Sequence, residues 1–175
     1  MFLKAIECGG EVAPKGMINL GLLYHAKSNT IAQGKPWQLR SNFGRNSFSL
    51  HFLNSKVGGD LKEAQKYAAK ASEFVDAAKP LLEELVADGS GNDDVKRYMD
   101  QFKPLRLRCH RMVGQLLASL GDLSGCETEF RLATDSFPTD PGAWQMLARV
   151  LEVQGKADEA KEITEKVKMI VAAMS

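Results

Sequence analysis

The chain has 175 residues, enough for one domain or one short array with a continuous core, and its 44% hydrophobic and 26% charged residues are ordinary for a folded protein. No apolar run approaches the ~20 residues that a bilayer span needs, so no membrane span is expected. The net charge of +1 hides a segregation. Between Val12 and Gly59 the cations Lys15, Lys27, Lys35, Arg40, Arg45 and Lys56 meet no acid, and the rest of the chain carries the acidic excess. Segregation of that kind speaks about partners more than about fold.

The chain opens Met1-Phe2-Leu3-Lys4-Ala5-Ile6-Glu7, with neither a basic leader nor an apolar stretch of about 7–15 residues, so secretion is not expected. Cys8, Cys109 and Cys126 are odd in number and lack CxxC spacing. They predict neither a disulfide framework nor a zinc site, and they fit a reducing intracellular compartment, cytoplasm or organelle interior. Met17, Leu20, Gly21 and Tyr24 recur three and four residues apart, the spacing of one helix face.

A basic stretch over 27–57 follows, broken by Gly34-Lys35-Pro36. It interleaves Trp37, Phe43, Phe48 and Phe52 with Lys35, Arg40 and Arg45. Three readings stand. The aromatics cover a helical core, the segment docks on an acidic protein surface, or the rings stack bases while the cations neutralise phosphates. A long ordered loop inside a compact domain is uncommon and often functional.

Asp60 with Glu63 predicts a capped helix start. That helix runs to about Ala78 and either continues past Pro80 with a kink or restarts there. Asp88-Gly89-Ser90-Gly91-Asn92 reads as a loop. Asn92 then caps a helix with Asp93 and Asp94 in its first turn, the end that favours acids. Pro104 is expected to interrupt that helix. Asp140-Pro141 pairs an N-cap acceptor with a proline at the first helical position, where no amide hydrogen is needed. The closing helix, from about Lys156, ends in the apolar run Met169-Ile170-Val171-Ala172-Ala173-Met174. An apolar end of this kind predicts a contact through Met169, Ile170 and Met174 with a partner subunit or a second copy of the chain.

One six-residue signature appears three times. Gly59-Asp60-Leu61-Lys62-Glu63-Ala64 is echoed by Gly121-Asp122-Leu123-Ser124-Gly125-Cys126 and by Gly155-Lys156-Ala157-Asp158-Glu159-Ala160. In each, a glycine that can end one helix precedes by five residues a small side chain on the next. The last two copies lie 34 residues apart, a period that marks a repeat array. Around them Val113, Gly114, Leu117, Cys126, Phe130, Ala133 and Pro138 are followed by Trp144, Leu147, Ala148, Leu151 and Ala160.

These positions resemble the tetratricopeptide repeat (TPR) family, strongly over 107–174 and more loosely at Met17, Leu20, Gly21 and Tyr24. The resemblance implies an all-α, TPR-like superhelix of antiparallel helix hairpins, its N-terminal repeat interrupted by an insertion. The division is then an irregular TPR-like region, 1–106, with the basic insertion at about 27–57, and two tandem repeats with a closing helix, 107–175. Phe2 and Ala5 match late positions of a second repeat helix, so the sequence is expected to begin midway through a repeat. The 62 residues from Gly59 to Gly121 are not a multiple of 34 and predict irregular geometry in the middle.

Signatures of catalysis are missing: there is no phosphate loop, no G-x-G-x-x-G, no H-E-x-x-H and no G-x-S-x-G. His25, His51 and His110 lack metal-ligand spacing. Cys109 and His110, as helix neighbours, point about 100° apart and do not face each other. Neither an enzyme activity nor a cofactor or metal is expected. In the TPR family the first helix of each repeat lines a concave binding surface. Carried over, that surface is Arg108, Arg111, Gln115 and Ala118, then Gly142, Gln145, Arg149 and Glu152. Arg111 and Arg149 could grip carboxylates bidentately, whereas the lysine-and-asparagine pattern of the chaperone-binding clamp is absent. The function expected is non-catalytic protein–protein interaction, as an adaptor or accessory subunit of a larger assembly. The alternative is association with nucleic acid through the basic segment and its Lys35, Trp37, Arg40 and Arg45.

Overall fold

A computed structural model describes residues 7, 12–32, 60–87 and 93–174. Among these residues the protein is all-helical, with α1 Val12–Ala32, α2 Leu61–Ala87, α3 Asp93–Leu120, α4 Leu123–Ser136, α5 Pro141–Val153 and α6 Ala157–Met174. Each helix packs on the next in chain order, and α1 also touches α3. Every consecutive pair is antiparallel. Ser28 on α1 donates to the Ala64 carbonyl on α2 at 2.6 Å, while Tyr24, earlier on α1, stacks on Phe74, later on α2. At the other end Lys166 Nζ lies 3.6 Å from the Trp144 ring centroid, which sets α6 against α5 in the same sense.

Local chemistry explains the helix ends. Gly121 and Gly155, at φ +84° and +79°, occupy the left-handed region that glycine enters without a Cβ penalty. Their turns carry the same backbone bonds 34 residues apart. Gly121 N donates to Ala118 O and Asp122 N to Leu117 O; Gly155 N donates to Glu152 O and Lys156 N to Leu151 O. This is the Schellman closure, in which the last carbonyls of a helix find donors just past its end. Asp122 and Asp140 then accept the amides of Gly125 and Ala143 at 2.9 and 2.7 Å, capping α4 and α5. Asp60 caps α2 by accepting from Lys62 N and Glu63 N. Asn92 and Gly59 lie outside the described residues.

One expectation about proline is corrected, at Pro104. Pro80 and Pro104 sit inside α2 and α3, and neither helix stops there. An interior proline costs about 3 kcal/mol. Burying one large apolar side chain returns about 1.5–3 kcal/mol, and Leu82 follows Pro80 while Phe102 and Leu105 flank Pro104, all buried. Packing overrides the break. The consequence is length: α2 and α3 have 27 and 28 residues, twice the 14 and 13 of α4 and α5. The 62 residues from Gly59 to Gly121 hold these two long helices, and a single helix, α3, runs through positions 106 and 107. Residues 27–32 of the basic segment belong to α1; the remainder, including Lys35, Trp37, Arg40 and Arg45, lies outside the described residues.

The core follows from the pairing. Alanines and valine on one face of α2 (Ala71, Val75, Ala78) meet Ile18 of α1 and Phe102, Leu105 and Cys109 of α3. Ala64, Ala68, Met112, Val113 and Leu116 extend that packing. A second cluster joins Cys126 and Phe130 of α4 to Met146, Leu147 and Leu151 of α5 and Ala160 and Ile163 of α6. Gly114 is buried beneath the Phe130 ring, which leaves room for little more than hydrogen: a Cβ there would lie 3.0 Å from Cε1. Gly114, Cys126, Phe130 and Ala148, which stand at the repeat-period positions, are all buried.

Candidate functional site

The residues expected to line one surface divide into two groups. Arg108, Gln145, Arg149 and Glu152 are exposed on α3 and α5. Gln115 is not part of that surface. It is 2% exposed, and its Nε2 lies 3.7 Å from Met146 Sδ in the seam between the two helices. Arg111 is half-buried and pairs with Asp140 Oδ2 at 3.5 Å, beside Gly142 at the start of α5. Arg111 and Gln115 thus join α3 to α5, and their neighbours on the same stripe face outward.

The open group is unevenly supplied with counter-charges. Arg149 forms no ion pair with a described residue, and Arg108 Nε donates only to the Pro104 carbonyl of its own helix. Three acids on the even-numbered helices are engaged: Glu127 with Arg131 and Lys156, Glu159 with Arg131, and Asp76 with Arg106. His25 of α1 lies near Arg108. Burial, then the nearby Arg108 guanidinium, pushes the His25 imidazole down to about 4, so the ring is neutral and adds no charge to the face.

A closed polar node lies between α2, α3 and α4. His110, its side chain 1% exposed, places Nδ1 2.8 Å from Glu129 Oε2 and 3.1 Å from Ser72 Oγ, and Nε2 3.2 Å from Asp76 Oδ1. One turn earlier Arg106 donates through Nε to Asp76 Oδ1 at 2.6 Å and through Nη1 to Ser136 Oγ at 2.7 Å. Burial by itself would lower the His110 pKa. Its hydrogen bonds to Asp76 and Glu129 outweigh that and hold it above the usual value. Burial would raise Asp76, but His110 and Arg106 hold it below the usual carboxylate range.

Adjacent Cys109 takes no part: burial pushes its thiol up to about 12, which keeps it protonated and unreactive. Cys126 is likewise a free, buried thiol pushed up to about 12, chiefly by burial. Among the described residues no group of three His, Cys, Asp or Glu side chains is placed to hold a metal ion, and no helix is long and apolar enough to cross a membrane.

The C-terminal run is exposed. Val167 is the last inward residue of α6; beyond it Met169 and Met174 are 67% and 69% exposed, and Ile170 is half-buried. The pairing of Trp144 with Lys166 sets the start of α5 level with about Met169. The final turn of α6 therefore runs past the helix on which it packs.

Nothing adjacent in the sequence marks Asp76, Arg106 and Glu129 as members of one cluster with His110. No local motif joins these residues, whose separations from one another and from His110 include 19, 30 and 34 positions. The one available signal was a set of charges at helix positions that otherwise read as inward-facing. The fold class and this geometry are what the structure supplies by itself. Neither a protein-family model, a curated protein nor a solved structure matches this chain.

Proposed function

We propose that the chain is a non-catalytic protein-interaction module, a TPR-like superhelix serving as an adaptor or accessory subunit of a larger assembly. The observation that carries this reading is the outward stripe of Arg108, Gln145, Arg149 and Glu152 on α3 and α5. Its arginines form no ion pair with a described residue, while Asp76, Glu127 and Glu159 are paired within the array. Exposed guanidinium groups on alternate helices suit a protein segment bearing carboxylates, which they bind with two parallel hydrogen bonds each. The recurrence of one turn geometry at Gly121 and Gly155 supports the repeat character, since stacked units create an extended surface. Two free, buried thiols fit a reducing intracellular compartment.

The test is affinity capture with the intact chain and with a double charge reversal, Arg108→Glu with Arg149→Glu, each with and without nuclease. Partners held by the wild type, lost by the folded variant and indifferent to nuclease support the reading. Identical partners in both remove it. Capture that disappears on nuclease treatment would instead favour the nucleic-acid reading through Lys35, Trp37, Arg40 and Arg45. Self-association through Met169, Ile170 and Met174 is tested by light scattering of Ile170→Glu, which should be monomeric where the wild type is not.

A further inference from the structure

Both ring nitrogens of His110 face carboxylate oxygens, Glu129 at Nδ1 and Asp76 at Nε2. A neutral imidazole has one N–H and one lone pair. Either neutral tautomer would therefore turn its lone pair against a carboxylate. Only the imidazolium donates in both directions. The charges then balance: Asp76 and Glu129 are matched by Arg106 and His110, and the Ser72 and Ser136 hydroxyls complete the cluster. The groups facing the ring are Ser72 and Asp76 from α2 and Glu129 from α4. On α3 itself Arg106 acts through Asp76, and Cys109 stays a neutral thiol.

The two sides of the ring are unequal. Glu129 is the nearer carboxylate, at 2.8 Å against 3.2 Å, and Asp76 keeps a second partner in Arg106. A neutral His110 would retain its proton on Nδ1 for Glu129 and present a lone pair to Asp76. The helix that loses a contact is α2. Helix α4 stays joined to α3 by the two-residue turn at Gly121 and by the Phe130 ring over Gly114.

We propose that His110 is a proton-operated latch: charged, it clamps both α2 and α4 to α3, and on losing its proton it loosens the α2 seam and with it the α1–α2 hairpin. The direction with pH follows from a raised folded-state pKa. The clamp's contribution is complete below the ordinary imidazole value of 6.5 and is lost as pH rises through the higher value of the folded chain. This device is independent of the function proposed above, because it is read from the seam and not from the outward face.

The experiment uses the full chain. Histidine Cε1–H signals are followed by NMR between about pH 6 and pH 9, together with amide-exchange protection factors for α2 and α6, in wild type, Glu129→Gln and His110→Gln. One wild-type imidazole should titrate above 6.5 and shift down in Glu129→Gln. Across that step α2 protection should fall by about tenfold for each pKa unit of elevation, while α6 protection holds. His110→Gln should show no such step. Were His110→Gln unable to fold, the wild type and Glu129→Gln would decide the matter alone. The latch is overturned if no imidazole titrates above 6.5, if α2 and α6 lose protection together, or if α2 protection is flat across the titration.

Discussion

The α1–α2 hairpin and the α4–α6 region pack on different faces of overlapping stretches of the same long helix, α3, and are built by different means. In the first, the seam is made of small residues: Gly21 lets α1 approach Val75 and the Ala71 backbone, and Ala64, Ala68, Ala71 and Ala78 line the facing side of α2. Its large rings lie at the margin, where Tyr24 stacks against Tyr67 and Phe74, at 6.0 and 5.6 Å between centroids, and Lys27 covers Tyr67 at 3.8 Å. In the second, the seam is filled by large side chains such as Phe130, Leu147 and Leu151, and glycine serves in the turns. Small-residue seams tolerate long straight contact and fail abruptly when a methyl is added. Large-residue seams fail when volume is removed.

Removing volume from the C-terminal seam should therefore have the largest effect. Phe130 is buried against Gly114 of α3 and within the cluster joining α4, α5 and α6. Phe130→Ala should lower stability by about 3–5 kcal/mol in urea unfolding. A loss below about 1 kcal/mol would mean that the seam is not sustained by that ring.

Adding a methyl sharpens the contrast. An alanine Cβ at Gly21 would lie 2.5 Å from Val75 Cγ2 and 3.2 Å from the Ala71 carbonyl oxygen, a stiff side chain and a backbone atom. At Gly114 the same Cβ meets only the edge of the Phe130 ring, at 3.0–3.2 Å. Replacing glycine by alanine inside a helix gains roughly 1 kcal/mol when nothing clashes. Gly21→Ala should be net destabilising by about 1–3 kcal/mol. Gly114→Ala should stay within about 1 kcal/mol of wild type, because the gain offsets a small ring shift. Equal melting temperatures for the two variants would erase the difference between the seams.

The helix starts offer a smaller test. Asp60 accepts two amides and Asp122 one, all near 2.9–3.0 Å. Truncating either to alanine should cost about 1 kcal/mol. The Asp60 change should raise amide exchange in the first turn of α2, and the Asp122 change in α4, each leaving the other region unaltered. Spread of either effect across α3 would show the two regions to be one cooperative unit.

What could be read from the sequence divides along the same line. Turn chemistry is local, so Gly121-Asp122, Gly155 and Asp140-Pro141 announced their geometry through residues adjacent in the chain. Helix length over Pro80 and Pro104 was not legible, because it is decided by Leu82, Phe102 and Leu105 meeting partners on other helices. Gln115 read as a surface residue because the repeat resemblance placed it on the concave face, and it is the seam with Met146 of α5 that holds it buried. The His110 node is the extreme case: its members come from three helices, and each is unremarkable in its own segment.

The smallest expected effect concerns the exposed ion pairs that bridge α4 and α6. Lys156 Nζ lies 2.7 Å from Glu127 Oε2, and Arg131 holds Glu127 and Glu159. The hydrogen bond from Lys156 is the main influence holding the Glu127 carboxyl below its usual range. A depressed carboxylate pKa stabilises the fold above the unfolded value, and that contribution is lost as pH falls through the folded one. Lys156 is about half exposed, so water and salt screen the pair strongly. Lys156→Ala should thus change stability at neutral pH by only about 0–1 kcal/mol. It should also flatten the acid limb of the stability profile, and about 1 M salt, where the screening length is roughly 3 Å, should close most of the gap to wild type. Between α1 and α2 the bridging cation, Lys27, lies over the Tyr67 ring, a contact between a charge and an aromatic face that salt should weaken less. If Lys156→Ala cost as much as Gly21→Ala, and the cost persisted in salt, electrostatics and not packing would distinguish the two regions.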